Sequence, residues 1–539
     1  MFEGYLPIDI ERYSKSFALS VGIIALLLFL SYHSIKYLIS DLPPLGSGLK
    51  RLPGPTSTLP YLGRVHDLDR MRPWKAMKTF SDRYGGLFSC TLGGDTHIWI
   101  ARDHIAQDLL CKHSSIASAR ADLGAYPEVT KGFRYLPLLG YTEHLVRQRR
   151  FAHLVTTRDL SRSFEGYMAL EAKRFLVELI DSPQSFFDLA YMYCGRISSR
   201  LAYGTDTPSA ALIKNALEFI HQIGPSGPAT NLLPVLRFLP EWIIPGKRPV
   251  RLRQEAEETL WKTLFEETRK QIGVESPPTY VSASVESREH NKDDKFLFEN
   301  EMEAVYAVGM MCTVAIVTIA GPITLFILAM VLHPDWQEKV RAEIDQVTAD
   351  EFLDLEHSSQ LPTLRGAIKE CLRWKSTVPL GVPHVLGEDY SYDGYHFPKN
   401  AIIHVLDIAM SRDSRYVDPD VYNPDRWLDE QSPNYKSPLT EHPRLKGHHI
   451  FGRGKRMCPG QDMAEAELLV LCGNLLKFFV IKPALDGMGE PIWPDPERWT
   501  VDVIGGPLPF DCEIKPRSEA KQQAVMNMRA EFKKTNLSG

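Results

Sequence analysis

A mainly α-helical fold with small β-sheets, preceded by one N-terminal transmembrane helix, is what three features of this 539-residue sequence predict. Residues 302–332 are almost wholly apolar after Glu303, the pattern of one long helix buried on all sides. Ala464, Leu468, Leu471, Leu475 and Phe479 recur at three- and four-residue steps, which marks a second helix. Residues 16–35 carry no formal charge, and about twenty residues of helix span the hydrocarbon layer. The composition is that of a globular protein, 44% apolar and 24% charged. A net charge of −5 leaves no basic excess, so nucleic acid is not an implied partner. None of the eight cysteines forms a C-x-x-C pair, so neither a disulfide framework nor a zinc knuckle is suggested and a reducing compartment fits.

Taken in order, residues 1–15 form a short flank and residues 16–35 the membrane anchor. Lys15 and Lys36 bracket that span and can snorkel to the interfaces. Asp9 and Glu11 spoil the basic region of a cleaved signal peptide, and no small-x-small site follows Leu30. Lys36, Lys50 and Arg51 favour a cytosolic body. A core helix is the plainer alternative for this span. Residues 36–63, with Pro53, Pro55 and Pro60, read as a stiff hinge. The main domain is expected over 64–517. A helix ends at Gly85-Gly86, and Leu87–Leu92 with 96–101 read as a hairpin around Gly93-Gly94. Residues 104–200 read as helices with one irregular interval, 118–140. Residues 231–246 are apolar yet hold three prolines, which a core helix would not carry. Residues 275–297 read as a polar surface loop. The long apolar helix has a second membrane span as its alternative, and Pro322 is expected to kink it. Glu370 and Arg373 lie one turn apart on a helix. Residues 518–539 form a polar tail, expected to fray. No internal repeat is visible.

The chemistry gathers at Phe451-Gly452-Arg453-Gly454-Lys455-Arg456-Met457-Cys458-Pro459-Gly460. Cys458 stands just before a helix N-terminus, where the dipole and free N–H groups favour a thiolate. Gly452, Gly454 and Gly460 let the backbone approach something flat, and Lys455 and Arg456 suit carboxylates. Together these suit an axial thiolate ligand to haem iron with propionates nearby. A structural cysteine beside a glycine turn is the bland alternative.

The loop resembles the haem-binding loop of the cytochrome P-450 family, Phe-x-x-Gly-x-Arg-x-Cys-x-Gly, and matches every fixed position. Other blocks follow in family order over about residues 50–517. The hinge resembles the family's proline hinge, and the interval 118–140 the segment lying over haem and touching substrate. Residues 231–246 resemble the loop between two roof helices, which touches the membrane. Arg149 matches the Arg of Trp-x-x-x-Arg, with Leu145 in place of the Trp. The long helix reads Val314-Ala315-Ile316-Val317-Thr318 where the family has Ala-Gly-x-(Asp/Glu)-Thr: Thr318 is kept and Val317 replaces the acid. Ala320-Gly321-Pro322-Ile323-Thr324 fits the letters six residues later. Glu370, Arg373 and Arg426 match the family's structural trio. Pro379–His384 resembles the strand that faces substrate and ends at a propionate, and Gly505–Phe510 the last substrate-facing turn.

The resemblance implies haem b (iron protoporphyrin IX), with Cys458 as the iron ligand. Arg149, His384, Phe451, Gly452, Gly454, Arg456 and Gly460 are implied around the cofactor, and Thr318 as the catalytic hydroxyl beside Cys458. It implies a monooxygenase acting on a small organic substrate, similar to fungal microsomal members that tailor secondary metabolites. Electrons would come from NADPH through a separate cytochrome P-450 reductase, with cytochrome b5 as a second donor. The place would be the endoplasmic reticulum membrane, with one span and a cytosolic catalytic domain. Two alternatives stay open: a haem-thiolate enzyme of rearrangement, dehydration or radical coupling, which the loss of the acid at Val317 allows, and a non-catalytic membrane haem carrier.

Overall fold

Apolar and polar patterning resolves into long helices wrapped around one central helix, with small sheets at the periphery. The computed structural model describes residues 20–25, 27–29, 31, 32, 35, 42–59, 61–157, 160–273, 277–290 and 298–534. Helix α1 (Pro73–Tyr84) stops at Gly85, whose φ of 98° suits glycine. Strands β1 (Leu87–Leu92) and β2 (Asp95–Ile100) pair antiparallel across Gly93-Gly94, from Leu87↔Ile100 to Leu92↔Asp95. Strand β2 pairs parallel with the later strand Ile402–Val405, which pairs antiparallel with His384–Val385. The sheet thereby carries His384 and the N-terminal hairpin on one frame.

The helical part runs α2 (Glu143–Thr157), α3 (Leu160–Asp181), α4 (Phe186–Tyr203), α5 (Ser209–Ile223), α6 (Lys247–Lys270), α7 (Tyr280–His290), α8 (Glu301–Leu332), α9 (Pro334–Thr348), α10 (Pro362–Trp374), α11 (Gln461–Phe478) and α12 (Glu519–Lys534). Helix α8 starts at Asn300, whose side chain accepts from the Glu303 amide, and continues without a break through Pro322. Its most apolar window has a mean hydropathy of 2.5, yet 83% of that window is buried inside the protein. It is therefore a core helix. Helix α6 reaches it closely: a Cβ at Gly309 would lie 2.3 Å from the Trp261 ring.

Two expectations need correction. Within 275–297, the residues Tyr280–His290 form α7, which the caps Thr279 and Ser282 start by accepting from each other's amides (3.0 and 2.9 Å). Tyr280 and Val281 are buried in the core. Residues 274–276 and 291–297 lie outside the described residues. The polar tail is helix α12 over most of its length. It docks through fully buried Val525 and through Arg529, which donates to Val177 O (3.1 Å) and pairs with Asp181 (2.7 Å). One buried valine in a polar helix leaves little periodic signal, which is why composition alone suggested fraying. Residues 535–539 lie outside the description, as do 1–19, Leu26, Leu30, His33, Ser34, 36–41 and Pro60. The expected membrane span is thus described only in part. The described part of it is apolar and helical over Ser20–Phe29 and helical again at Ser31, Tyr32 and Ile35, with Val21, Ile23, Ile24, Leu27 and Leu28 exposed.

Candidate functional site

The Cys458 loop is folded by its own backbone and tied down from below. The Cys458 amide donates to Phe451 O at 2.8 Å, closing the loop, and Gln461 Nε2 donates to Cys458 O at 3.0 Å. Gly452 has φ 73°, open to glycine. At Gly454 a Cβ would lie 1.9 Å from Leu110 O, so the loop presses on a neighbouring backbone. At Gly460 the nearest atom to a Cβ would be Cys458 Sγ, at 3.9 Å, so the glycine keeps space beside the sulfur. Helix α11 follows at Gln461. The Cys458 thiol feels opposing influences. Burial pushes its pKa up, against the Gly460 N–H and the Arg149 charge, which pull it down. A cation at the sulfur would deprotonate it.

Three basic side chains from other segments gather around the loop's own Arg456. Arg149, on α2, donates to Met457 O at 2.7 Å. Arg456 donates from Nε to Ser118 O at 2.8 Å and from Nη2 to Leu139 O. His384 Nδ1 donates to Ala117 O at 2.7 Å. The sequence reading missed the fourth, Arg120, which donates from Nη1 to Val382 O (2.9 Å) and Pro383 O (2.6 Å). Burial, then the charges of Arg456 and Arg149, push the Arg120 pKa well down. Burial and Arg149 bring Arg456 to about 10, and burial and Arg120 lower His384 well below the usual range. Among the described residues no carboxylate pairs with Arg120, Arg149 or Arg456. Crowded, dehydrated cations without a counter-charge call for an anion. A flat dicarboxylate beside a cysteine sulfur meets that need, so the residues present fit haem. The visible sequence signal for Arg120 was a cation between two alanines inside the irregular interval.

A second arginine cluster is closed on itself. Arg373 donates to both oxygens of Glu370 (2.9 and 2.8 Å), and Arg426 Nε and Trp427 Nε1 add further bonds at 3.0 Å each. Glu370 and Arg373 are wholly buried, and Arg373 also donates to Ser411 O and Pro419 O. Below the Cys458 loop, Asp407 accepts from Ser376 and pairs with His449, two residues before Phe451. This region is a frame for the loop.

A cavity of about 840 Å³ opens above. Leu123, Leu138, Phe219, Ile220 and Val314 give it a largely apolar wall, and Arg120 links it to the cation cluster. Val314 is the α8 residue in that wall. Thr318 stands one turn further on and donates its hydroxyl to Val314 O at 2.8 Å; Val317 is buried. Thr324, the other threonine in such a motif, bonds Gly321 O at 2.9 Å and is a core residue packed beside Gly506. Neither Thr318 nor Cys458 lines the cavity. Elsewhere His144, Glu299 and Glu303 converge within 4.8 Å, but Arg147 pairs with both carboxylates (3.2 and 3.4 Å), which makes the group an ion-paired knot between α2 and α8.

Known proteins resemble this chain along most of its length. The family model for cytochrome P-450 matches residues 52–501. The chain is 31% identical over 484 residues to the cytochrome P-450 monooxygenase virE of Hypocrea virens, covering 88% of this chain and 86% of that protein. It is 30% identical to the cytochrome P-450 monooxygenase claR of Ampulloclitocybe clavipes, covering 88% of each. It is 28% identical to the tryptamine 4-monooxygenase of Psilocybe cyanescens, covering 88% of this chain and 94% of that one.

Proposed function

The chain belongs to the cytochrome P-450 family of haem-thiolate monooxygenases, and from that premise we propose how its own residues serve the reaction. Cys458 holds the iron through sulfur, and Arg120, Arg149, Arg456 and His384 receive the propionates. The observation that carries this reading is the set of half-buried guanidinium groups, bonded to backbone carbonyls and paired with no carboxylate among the described residues, gathered at the one cysteine of a glycine-rich loop. When bound, haem activates molecular oxygen. The protein positions substrate and supplies protons. The cavity suits a small, mostly apolar organic molecule, in keeping with tailoring of a secondary metabolite. Thr318 is the hydroxyl that would hand a proton onward once released from its bond to Val314 O. Its motif has lost the acid, and the acidic residues of α8 are Glu301 and Glu303 in the first turn. Ordered water or a polar group of the substrate completes the relay.

Electrons come from NADPH through a separate reductase, since the sequence has no nucleotide fingerprint, with cytochrome b5 as a second donor. The protein sits on the endoplasmic reticulum membrane with its body in the cytosol. Supporting this, exposed apolar side chains extend from the N-terminal helix to Phe238 and Trp242 of the loop 231–246, which are 75% and 81% exposed. The Phe29 ring lies 5.4 Å from Tyr61, whose hydroxyl accepts from the Val235 amide, so the helix and the loop share one face.

Deleting the gene in its host and comparing metabolites by mass spectrometry identifies the substrate as the compound that accumulates. That compound, full-length protein, reductase and NADPH should then give an oxygenated product. No product with any accumulated compound would overturn the oxygenation reading. In the same assay Thr318→Ala should cut product by about 10²-fold or less and raise hydrogen peroxide release. Unchanged yield and leakage would show that the protons arrive elsewhere, in favour of rearrangement or coupling.

A further inference from the structure

Away from the cation cluster, one buried polar network joins two segments of the cavity wall to helix α6. Its centre is Arg253 and Glu257, one turn apart on α6 and 5% and 1% exposed. Arg253 donates to Gln222 Oε1 (2.9 Å), Asn215 Oδ1 (2.9 Å), Glu257 Oε2 (2.6 Å), and the hydroxyls of Tyr126 (3.1 Å) and Tyr135 (3.0 Å). Glu257 also accepts from Tyr135 (2.6 Å) and from Asn215 Nδ2 (2.9 Å). Tyr126 and Tyr135 belong to the irregular interval 118–140; Asn215 and Gln222 belong to α5.

Neighbouring contacts tighten the same joint. Tyr135 holds a left-handed backbone, φ 60°, and its ring stacks on Phe219 at 5.1 Å. Such a conformation for a bulky residue persists only where the surroundings over-determine it. Asn231 accepts from the Ala125 amide at 3.0 Å and donates to Gln222 O and Gly224 O. A Cβ at Gly124 would lie 1.8 Å from Thr230 O, so the interval rests directly on the backbone after α5. On the cavity side of this joint stand Leu123, Phe219, Ile220 and Asn231.

A buried ion pair is poor value for stability alone, and its best use is to fix one arrangement among several. Here the pair fixes an irregular segment to a helix, and both contribute cavity wall. We infer that Arg253 and Glu257 are positioning residues for substrate selectivity, holding the interval 118–140 and helix α5 as one body so that the wall Leu123–Phe219–Ile220 keeps its shape. The inference rests on reading the 840 Å³ cavity as the substrate chamber.

The test uses full-length holoenzyme and two iron-binding probes, imidazole and the bulkier 4-phenylimidazole, followed by the haem absorption shift. Replacing both charges together, Arg253→Met with Glu257→Leu, leaves neither stranded. Imidazole affinity should stay within about twofold, whereas 4-phenylimidazole affinity should change by about tenfold, the size of a coupling within one hydrogen-bond network. Amide hydrogen exchange over 121–136 should quicken as that segment loses its anchor. If the double variant does not fold, Tyr126→Phe with Tyr135→Phe removes only the two hydroxyls and should move the same ratio in the same direction. An unchanged affinity ratio with unchanged exchange overturns the inference. The wild-type imidazole titration reports separately on the haem assignment, since a protein without haem gives no shift.

Discussion

Two of the protein's arginine clusters differ in one respect: the one around Glu370 is buried and contains a carboxylate, whereas the half-buried one at the Cys458 loop pairs with none among the described residues. Around Glu370 two guanidinium groups share one carboxylate, on which an indole N–H and the Asn423 amide also converge. Around the Cys458 loop Arg120, Arg149 and Arg456 meet with His384 and have backbone carbonyls as their acceptors. The lesson is about purpose. A closed cluster needs nothing further and acts as scaffold, whereas an open one carries a cost that is relieved when an anion arrives. Substitutions in the two should therefore have opposite signatures.

The largest effect is expected at the closed cluster. Glu370→Ala leaves Arg373 and Arg426 buried without a counter-charge, at a cost of about 3–5 kcal/mol. Soluble yield and haem content should fall together. A soluble, haem-loaded but inactive variant would break the comparison by giving Glu370 a role in the chemistry.

Glu467, on α11, is the mirror image: a buried acid whose pKa burial alone raises to about 8. Its folded-state pKa lies above the ordinary 4.5, so its contribution is fully present below the unfolded value and is lost as pH rises through the folded one. Denaturant unfolding of the wild type should show stability falling by a few kcal/mol across that window relative to Glu467→Gln. Parallel pH profiles for the two proteins would show that Glu467 is ionised throughout.

The open cluster should respond more mildly and with the other sign. Arg120→Met gives up bonds to Val382 O and Pro383 O but relieves repulsion from Arg149 and Arg456. Apoprotein stability should shift by no more than about 1 kcal/mol. Haem transfer to apomyoglobin should speed up by about tenfold or more, the loss of one charge-assisted bond. If apoprotein stability collapses while haem retention is unchanged, Arg120 belongs with the scaffold.

The two clusters also differ in how far they could be read in the sequence. Glu370 and Arg373 stand three residues apart on one helix, and Arg426 lies in a short recognisable block, so the trio was visible. Cys458 was visible because its glycines and cations share ten residues. Arg120 was not, because its neighbours come from positions 149, 384 and 456, and only the fold brings these together. Residue types at short spacing also announced the hairpin, whose β2 begins one residue before the expected 96. Helices α7 and α12 were missed because each is polar and buries few apolar side chains, among them Tyr280, Val281 and Val525. The Arg253–Glu257 network was missed for the same reason as Arg120: its bonds cross more than one segment.

The most direct test of the account is the absorption spectrum of the reduced, carbon-monoxide-bound protein, taken for the wild type and for Cys458→Ala. The account predicts the thiolate-specific band after which the family is named in the wild type, and its loss in the variant. A wild-type-like band from Cys458→Ala would contradict it, because another residue would then be holding the iron.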